Sequence, residues 1–277
     1  LHGTGSVTSQ YVRRREASSL VKLAVITIAL VAAQFAGYRW RPSMQSGSPD
    51  ATRRTLAVSL CATAMFALVS ALSLYSDRFL DADSWVEARL APIDSGRATT
   101  NPALISFVQH IADHDKPYYA AFALVLLVLE GLRRNWIDLG FTFATLAGGL
   151  LTMDIAKRLL DRPRPAAYDS IGLGAIWETP SGHTFITTVI AGLIYLLWFR
   201  GRAPWVRRSG AVTLAVLVLW VGLIRLLVGT HYPSDIVAGL GLGIAWLGVC
   251  TMFLAVAEAR LRPHSPVAHT PSALEKP

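Results

Sequence analysis

Runs of about 20 residues with almost no charge set the tightest limit on what this chain can fold into. A bilayer core about 30 Å thick is crossed by roughly 20 apolar residues at 1.5 Å each. Seven candidate runs stand in the sequence: Leu20–Tyr38, Leu56–Tyr75, Tyr118–Leu132, Ile137–Ala156, Thr184–Phe199, Ala211–Val228 and Ile236–Ala257. Tyr118–Leu132 is the shortest, and Leu20–Tyr38 contains Lys22. Composition agrees. Of 277 residues 53% are hydrophobic and 16% charged, with a mean hydropathy of +0.43, too apolar for an ordinary soluble enzyme. Only helices and closed barrels satisfy the backbone in lipid, and these runs have helix length, so the expected fold class is all-α, an integral membrane helical bundle. Gly239 and Gly243 in the last run predict close packing of neighbouring helices. Cys61 and Cys250 fall inside apolar runs and read as small buried side chains, not as a disulfide framework or a metal site.

The formal charge of +8 brings nucleic acid to mind, but the basic residues come in short clusters between the apolar runs. That distribution suits loops facing anionic headgroups, so the expected partner is the lipid bilayer and no nucleic acid. Arg39, Arg41, Arg53 and Arg54 precede the second run, Arg133 and Arg134 separate the third and fourth, and Arg200, Arg202, Arg207 and Arg208 separate the fifth and sixth. Counting six spans from Leu56 places these loops and the tail with Arg260 and Arg262 on the cytoplasmic side. The segments Ser76–Pro117, Lys157–His183 and Gly229–Asp235 then face outward. The first run fits less well, because a span there puts Arg13, Arg14 and Arg15 outside; it reads as a span, an interfacial helix or an uncleaved signal-like segment. With Leu1 in place of an initiator Met, the extreme N-terminus reads as processed or added. Segment 76–117 mixes Trp85 and Leu90 with Asp81, Asp83, Glu87 and Arg89, which predicts amphipathic interfacial helices. The expected organisation is an N-terminal segment with an apolar helix over 1–54, a six-helix core over 55–257, and a disordered cytoplasmic tail over 258–277.

The outward segments hold residue types that belong together. KRLLDRPRP puts Lys157, Arg158, Arg162 and Arg164 at the end of an apolar helix. Arginine's planar fork and lysine's compact charge make an anion clamp, although alone this cluster also serves as a headgroup anchor. PSGH follows, with Ser181 as an expected N-cap, Gly182 allowing close backbone approach and His183 in the first turn. A helix N-terminus binds phosphate through its amides and partial charge, and the histidine can protonate a departing oxygen. Pro-Ser-Gly is equally ordinary turn chemistry. In RLLVGTHYPSD, Arg225 precedes His231 by six residues and Asp235 follows by four. If Pro233 starts the last helix, Asp235 can hold one imidazole tautomer and leave the other nitrogen free to attack. Arg225 has a snorkelling alternative, but an arginine within an apolar helix needs a partner. Three sets of phosphate-type ligands, two histidines and one carboxylate reach the same face. That convergence carries the reading.

These residues resemble the signature of the type 2 phosphatidic acid phosphatase superfamily, which groups membrane lipid phosphate phosphatases with soluble vanadium haloperoxidases. Lys157, Arg164 and Pro165 match its first part, Pro180, Ser181, Gly182 and His183 its second, and Arg225, His231 and Asp235 its third, in order and with the right internal spacing. The one departure is Ile224 where the signature has Ser. The resemblance implies that His231 is the nucleophile, that Asp235 orients it and that His183 protonates the leaving group through a phosphohistidine intermediate. Lys157, Arg164, Ser181, the Gly182 amide and Arg225 would bind the substrate phosphate. Arginine, lysine and backbone donors neutralise the charge, so no metal and no cofactor are expected; His110, Asp113, His114 and Asp115 mimic metal spacing without a supporting motif. The expected substrate is a membrane lipid phosphate met at the outer face, undecaprenyl diphosphate first because Arg158 and Arg162 add charge. Phosphatidylglycerophosphate, phosphatidic acid and lipid A phosphates are the alternatives, and the setting is a bacterial inner membrane with the site toward the periplasm. Rival readings are a lipid phosphotransferase of the same family and a catalytically silent scaffold or transporter. Haloperoxidase relatives are soluble, unlike this chain. Oligomeric state is not legible.

Overall fold

The computed structural model describes residues 4–39, 49–90, 115–160 and 179–261. Among them are eight α-helices: α1 (Thr4–Arg39), α2 (Pro49–Tyr75), α3 (Asp77–Leu90), α4 (Asp115–Leu132), α5 (Trp136–Leu160), α6 (Gly182–Ile194), α7 (Pro204–Leu227) and α8 (Pro233–Leu261). A π-helical turn, Tyr195–Phe199, extends α6. The bundle is that of an integral membrane protein. Six helical stretches are long and apolar enough to cross a bilayer: Ser18–Arg39, Asp50–Tyr75, Trp136–Leu160, Gly182–Phe199, Pro204–Leu227 and Pro233–Glu258. The apolar part of α4, Pro117–Leu132, is shorter. It nevertheless runs from the end of the bundle holding His183, which Tyr119 approaches, to the turn at Arg133–Asn135 that starts α5.

Apolar side chains cover the outside as well as the inside, as lipid solvation allows: Val25, Ile28, Val58, Leu68, Phe122, Leu150, Val216 and Leu219 all point outward and are exposed. Cys61 belongs to this outer surface of α2, and Cys250 is half-buried, so neither matches the expected buried position. In lipid an outward apolar residue carries no penalty, and apolar sequence does not separate the two faces. Trp136 and Trp205 stand exposed at one end, Trp85 and Tyr118 at the other, the interfacial placement such rings prefer.

Helix α8 is the axis, packed against α1, α2, α3, α5 and α6. Small residues make this possible. A Cβ on Gly239 would stand 2.5 Å from the Ser181 carbonyl oxygen, on Gly243 2.9 Å from Thr188, and on Gly248 within hard contact of Ser59. Gly239→Val is therefore expected to lower stability by about 1–3 kcal/mol and to displace the Ser181 turn, read as a lowered Tm in detergent together with lowered turnover. Gly140, where nothing lies within 4 Å, is the control, and an unchanged Tm for Gly239→Val would refute the contact.

The first apolar run resolves as a helix inside the bundle. α1 packs on α2, α5 and α8, burying Leu23, Ile26 and Leu30, and Gln34 donates to Thr63 Oγ1 at 2.8 Å. Because α1 lies antiparallel to α2, its N-terminal turns, which include Arg13–Arg15, lead toward the end opposite the other arginine clusters. The charge-distribution rule orders the core loops but not this helix. The last helix also continues through Leu261, past the expected boundary at 257, while residues 262–277 lie outside the described residues. The amphipathic expectation for 76–117 is met over Asp77–Leu90 by α3, which lies against α2, α7 and α8, while residues 91–114 lie outside the described residues.

Candidate active site

The site forms where α5 and α7 end and α6 and α8 begin. Ser181 caps α6 as its sequence predicts, its hydroxyl accepting from the Thr184 amide at 3.5 Å. Gly182 and His183 thus fall in the first turn, whose amides and dipole make an anion-binding end. Lys157, near the end of α5, closes on that turn: its Nζ lies 3.6 Å from where a Cβ on Gly182 would be. Any larger residue at 182 would take space beside the ammonium.

On the other side, α7 ends in a Schellman motif. Gly229 takes φ 71°, the Thr230 amide donates to the Arg225 carbonyl at 3.2 Å, and the Gly229 amide donates to Leu226 at 3.0 Å. The motif reverses the chain directly after the buried Arg225 and delivers His231 to the start of α8. Pro233 then opens α8, as expected, and puts Asp235 in its first turn. His231 Nδ1 lies 3.6 Å from Asp235 Oδ2, with both side chains buried. A buried carboxylate needs partners. Asp235 Oδ2 accepts from the Tyr232 amide at 3.0 Å and Oδ1 from the Thr179 hydroxyl at 2.5 Å, while its carbonyl accepts from the Ser181 amide at 2.9 Å. The turn carrying one histidine is thereby tied to the helix that orients the other. The centroids of the His183 and His231 rings stand 6.0 Å apart with the ring planes at 70°.

Of the residues expected at the site, His231, His183, Asp235, Lys157, Ser181, Gly182 and Arg225 reach this end together. Arg164 and Arg162 lie outside the described residues, as do His110, Asp113 and His114. Arg158 does not join: its Nε pairs with Asp154 at 2.8 Å on the exposed face of α5, one turn apart, so its guanidinium is spent on a surface ion pair. Ile224, in place of the signature Ser, is buried, so the change replaces a hydroxyl with core packing.

Sequence reasoning missed three contributors. Thr179 reaches Asp235 across 56 positions. Tyr119 on α4 has its ring centroid 6.2 Å from that of His183, and its hydroxyl accepts from Thr187 at 3.1 Å. Asp83 on α3 is buried and accepts from both the Ser234 amide, at 3.0 Å, and the Ser234 hydroxyl, at 2.5 Å. No local pattern marks Asp83 apart from Asp81; only the docking of α3 on α8 selects it. Because Asp83 fixes Ser234, one of the three residues between His231 and Asp235, Asp83→Ala is expected to lower stability by about 1–3 kcal/mol and turnover by roughly tenfold with little change in KM. Asn, which keeps one acceptor, should recover part of both. Equal turnover in Asp83→Ala and the parent would remove its positioning role.

The PAP2 superfamily pattern matches residues 135–259. Decaprenylphosphoryl-5-phosphoribose phosphatase of Mycobacterium tuberculosis is 32% identical over 142 residues, 49% of this chain and 71% of that protein. The chain belongs to the PAP2 superfamily. The same-named protein of Mycolicibacterium smegmatis is 30% identical over 138 residues, 48% of this chain and 67% of its own length. A lipid A 1-phosphatase from Rhizobium johnstonii is 30% identical over 131 residues, 44% of this chain, and the match spans about half of that relative, 49%. In fold, this PAP2 chain is similar to the crystal structure of a transmembrane PAP2 type phosphatidylglycerolphosphate phosphatase from Bacillus subtilis, with a TM-score of 0.56 and 15% identity, covering 74% of this chain and 98% of that one. The PAP2 relatives named here are phosphatases, and the matched region contains Lys157, the PSGH turn and the His231–Asp235 pair.

Proposed function

We propose that this protein is a membrane phosphatase that hydrolyses a lipid phosphate through a phosphohistidine intermediate. The observation carrying the proposal is the pair of histidines 6.0 Å apart, one backed by the buried Asp235 and the other in the first turn of a helix flanked by Lys157. His231 turns Nδ1 toward Asp235, so Nε2 attacks phosphorus. The N–P bond forms as the P–O bond to the lipid breaks, and His183 gives its proton to the departing oxygen. Water then attacks the phosphohistidine, His183 takes its proton, and free phosphate leaves with His231 restored. Lys157, Arg225, the first-turn amides of α6 and Arg164 stabilise the charge on the transferring group. Ser181 serves as the cap that aims those amides. Because these cationic and amide donors neutralise the charge, turnover in EDTA is expected to equal turnover without it.

The substrate is an amphiphile that enters from the bilayer with its phosphate at the His183–His231 end. That end lies opposite Arg133, Arg134, Arg200, Arg202, Arg207 and Arg208, a charge distribution that supports a site facing the periplasm or exterior of a bacterial inner membrane. Polyprenyl-linked phosphates head the candidates. Undecaprenyl diphosphate is the first choice from sequence, although the pairing of Arg158 with Asp154 leaves only Arg162 to support the extra charge. The relatives' names add decaprenylphosphoryl-5-phosphoribose and lipid A as substrates to test, beside phosphatidylglycerophosphate and phosphatidic acid.

The deciding experiment measures phosphate release from this panel by detergent-purified protein in EDTA, comparing the parent with His231→Ala and His183→Ala. Release abolished by both changes supports the mechanism and ranks the lipids. Phosphate appearing on a second lipid instead of in solution makes the protein a phosphotransferase. No release from any lipid returns it to a scaffold or transporter, and full activity in His231→Ala sinks the phosphohistidine mechanism.

A further inference from the structure

At the end of the bundle remote from the histidines, the first turns of α2 and α7, the π-helical turn and the last turns of α8 enclose a cavity of about 420 Å³. Arg54, Arg200 and Arg207 line it from three different elements, against a single carboxylate, Glu258. A second cavity of about 320 Å³ shares Arg54, Thr55, Tyr195, Leu196 and Thr251 with the first and continues along α8 over Val58, Ile244 and Leu247. A cationic mouth thus opens into an apolar groove. Trp205, two residues before Arg207 in the first turn of α7, stands exposed, as suits a ring at the headgroup level. From Asp235 to Glu258 along α8 is 23 residues, about 35 Å, so a molecule held here does not reach the catalytic end.

We propose that this composite cavity binds one anionic phospholipid from the leaflet at the arginine-rich end, its phosphate among Arg54, Arg200 and Arg207 and an acyl chain in the groove between α2 and α6 on α8. Guanidinium groups suit phosphate oxygens, and three of them on independent elements neutralise a headgroup that a scattered surface charge would only attract. The lipid fills space between α2, α6, α7 and α8, so binding tightens the bundle and raises its stability. This site is independent of the phosphatase reading, since it shares no residue with the catalytic end.

The test is native mass spectrometry of the full chain in phosphatidylcholine-containing micelles titrated with phosphatidylglycerol. The parent is expected to retain one phosphatidylglycerol in preference to phosphatidylcholine, with a raised Tm. At about fivefold per arginine near an anionic headgroup, Arg54→Ala/Arg200→Ala/Arg207→Ala should weaken retention about a hundredfold. Arg53→Ala/Arg208→Ala, which removes neighbouring charge outside the cavity, should retain it. Should the triple variant fail to fold, Arg54→Gln alone is expected to weaken retention about fivefold, and Val58→Trp, which fills the groove, should also displace the lipid. Equal retention of phosphatidylcholine by the parent, or parent-like retention by the arginine variants, overturns the proposal. Displacement of phosphatidylglycerol by the same concentration of glycerol 3-phosphate overturns it as well, in favour of a soluble anion.

Discussion

Phosphate release by His231→Ala is expected to fall by at least about four orders of magnitude, because the change removes the atom that forms the covalent intermediate in the proposed mechanism. His231 is buried, its Nδ1 is directed at Asp235, and its ring meets that of His183 edge-on across 6.0 Å. Nearby hydroxyls do not substitute for it. Ser181 Oγ accepts from the Thr184 amide and hydroxyl, and Thr179 Oγ1 donates to Asp235, so both serve the scaffold. Rapid acid-free quenching with a radiolabelled lipid phosphate should show an acid-labile phosphoenzyme in the parent and none in His231→Ala. In His183→Ala, a substrate with a nitrophenyl leaving group needs no proton to depart, so the first step should persist while hydrolysis slows. Phosphoenzyme should then accumulate. A labelled intermediate in His231→Ala would assign the nucleophile elsewhere.

Replacing Asp235 separates orientation from charge. With Asn, the amide nitrogen can face the Thr179 hydroxyl, which turns to accept, while the amide oxygen keeps the position that receives the Tyr232 amide and faces His231 Nδ1. The tautomer survives and the negative charge is lost. Phosphorylated imidazole with a proton on Nδ1 is cationic, and the carboxylate stabilises it, so Asn is expected to lower turnover by about a hundredfold. Ala removes the acceptor too and leaves the Thr179 hydroxyl and Tyr232 amide facing a void, for a loss approaching 10⁴, about the size of carboxylate effects in histidine triads. Turnover and Tm measured on both variants decide the matter: equal losses in Asn and Ala would mean that charge contributes everything and orientation nothing.

The two ends of the bundle carry different cationic chemistry. At the catalytic end, Lys157 and Arg225 are drawn onto the N-terminal turn of α6 and the reversal before α8, where backbone geometry holds them. At the other end, exposed arginines ring a cavity that runs into apolar surface. On the proposed readings, the same residue type serves a reacting phosphate in one place and a resident lipid in the other.

Properties governed by short stretches of chain were legible in the sequence. Solvation by lipid acts on each run of apolar residues separately, so membrane helices could be located from composition alone, and caps act within one turn, so Ser181 and Pro233 marked the starts of α6 and α8. The spacing of His231 and Asp235 within that turn foretold their pairing. Other features depended on which surfaces meet. Lys22 and the outlying arginines left α1 ambiguous until Gln34, Leu23, Ile26 and Leu30 were seen buried against the bundle. Arg158 looked like part of the clamp, yet helical phase turned it toward Asp154. Thr179 and Asp83 acquire their partners 56 and 151 positions away, where two helix ends and an interfacial helix converge. Local physics sets where helices begin and end; the partner of a buried carboxylate is decided by packing between distant segments, which no single stretch of sequence contains.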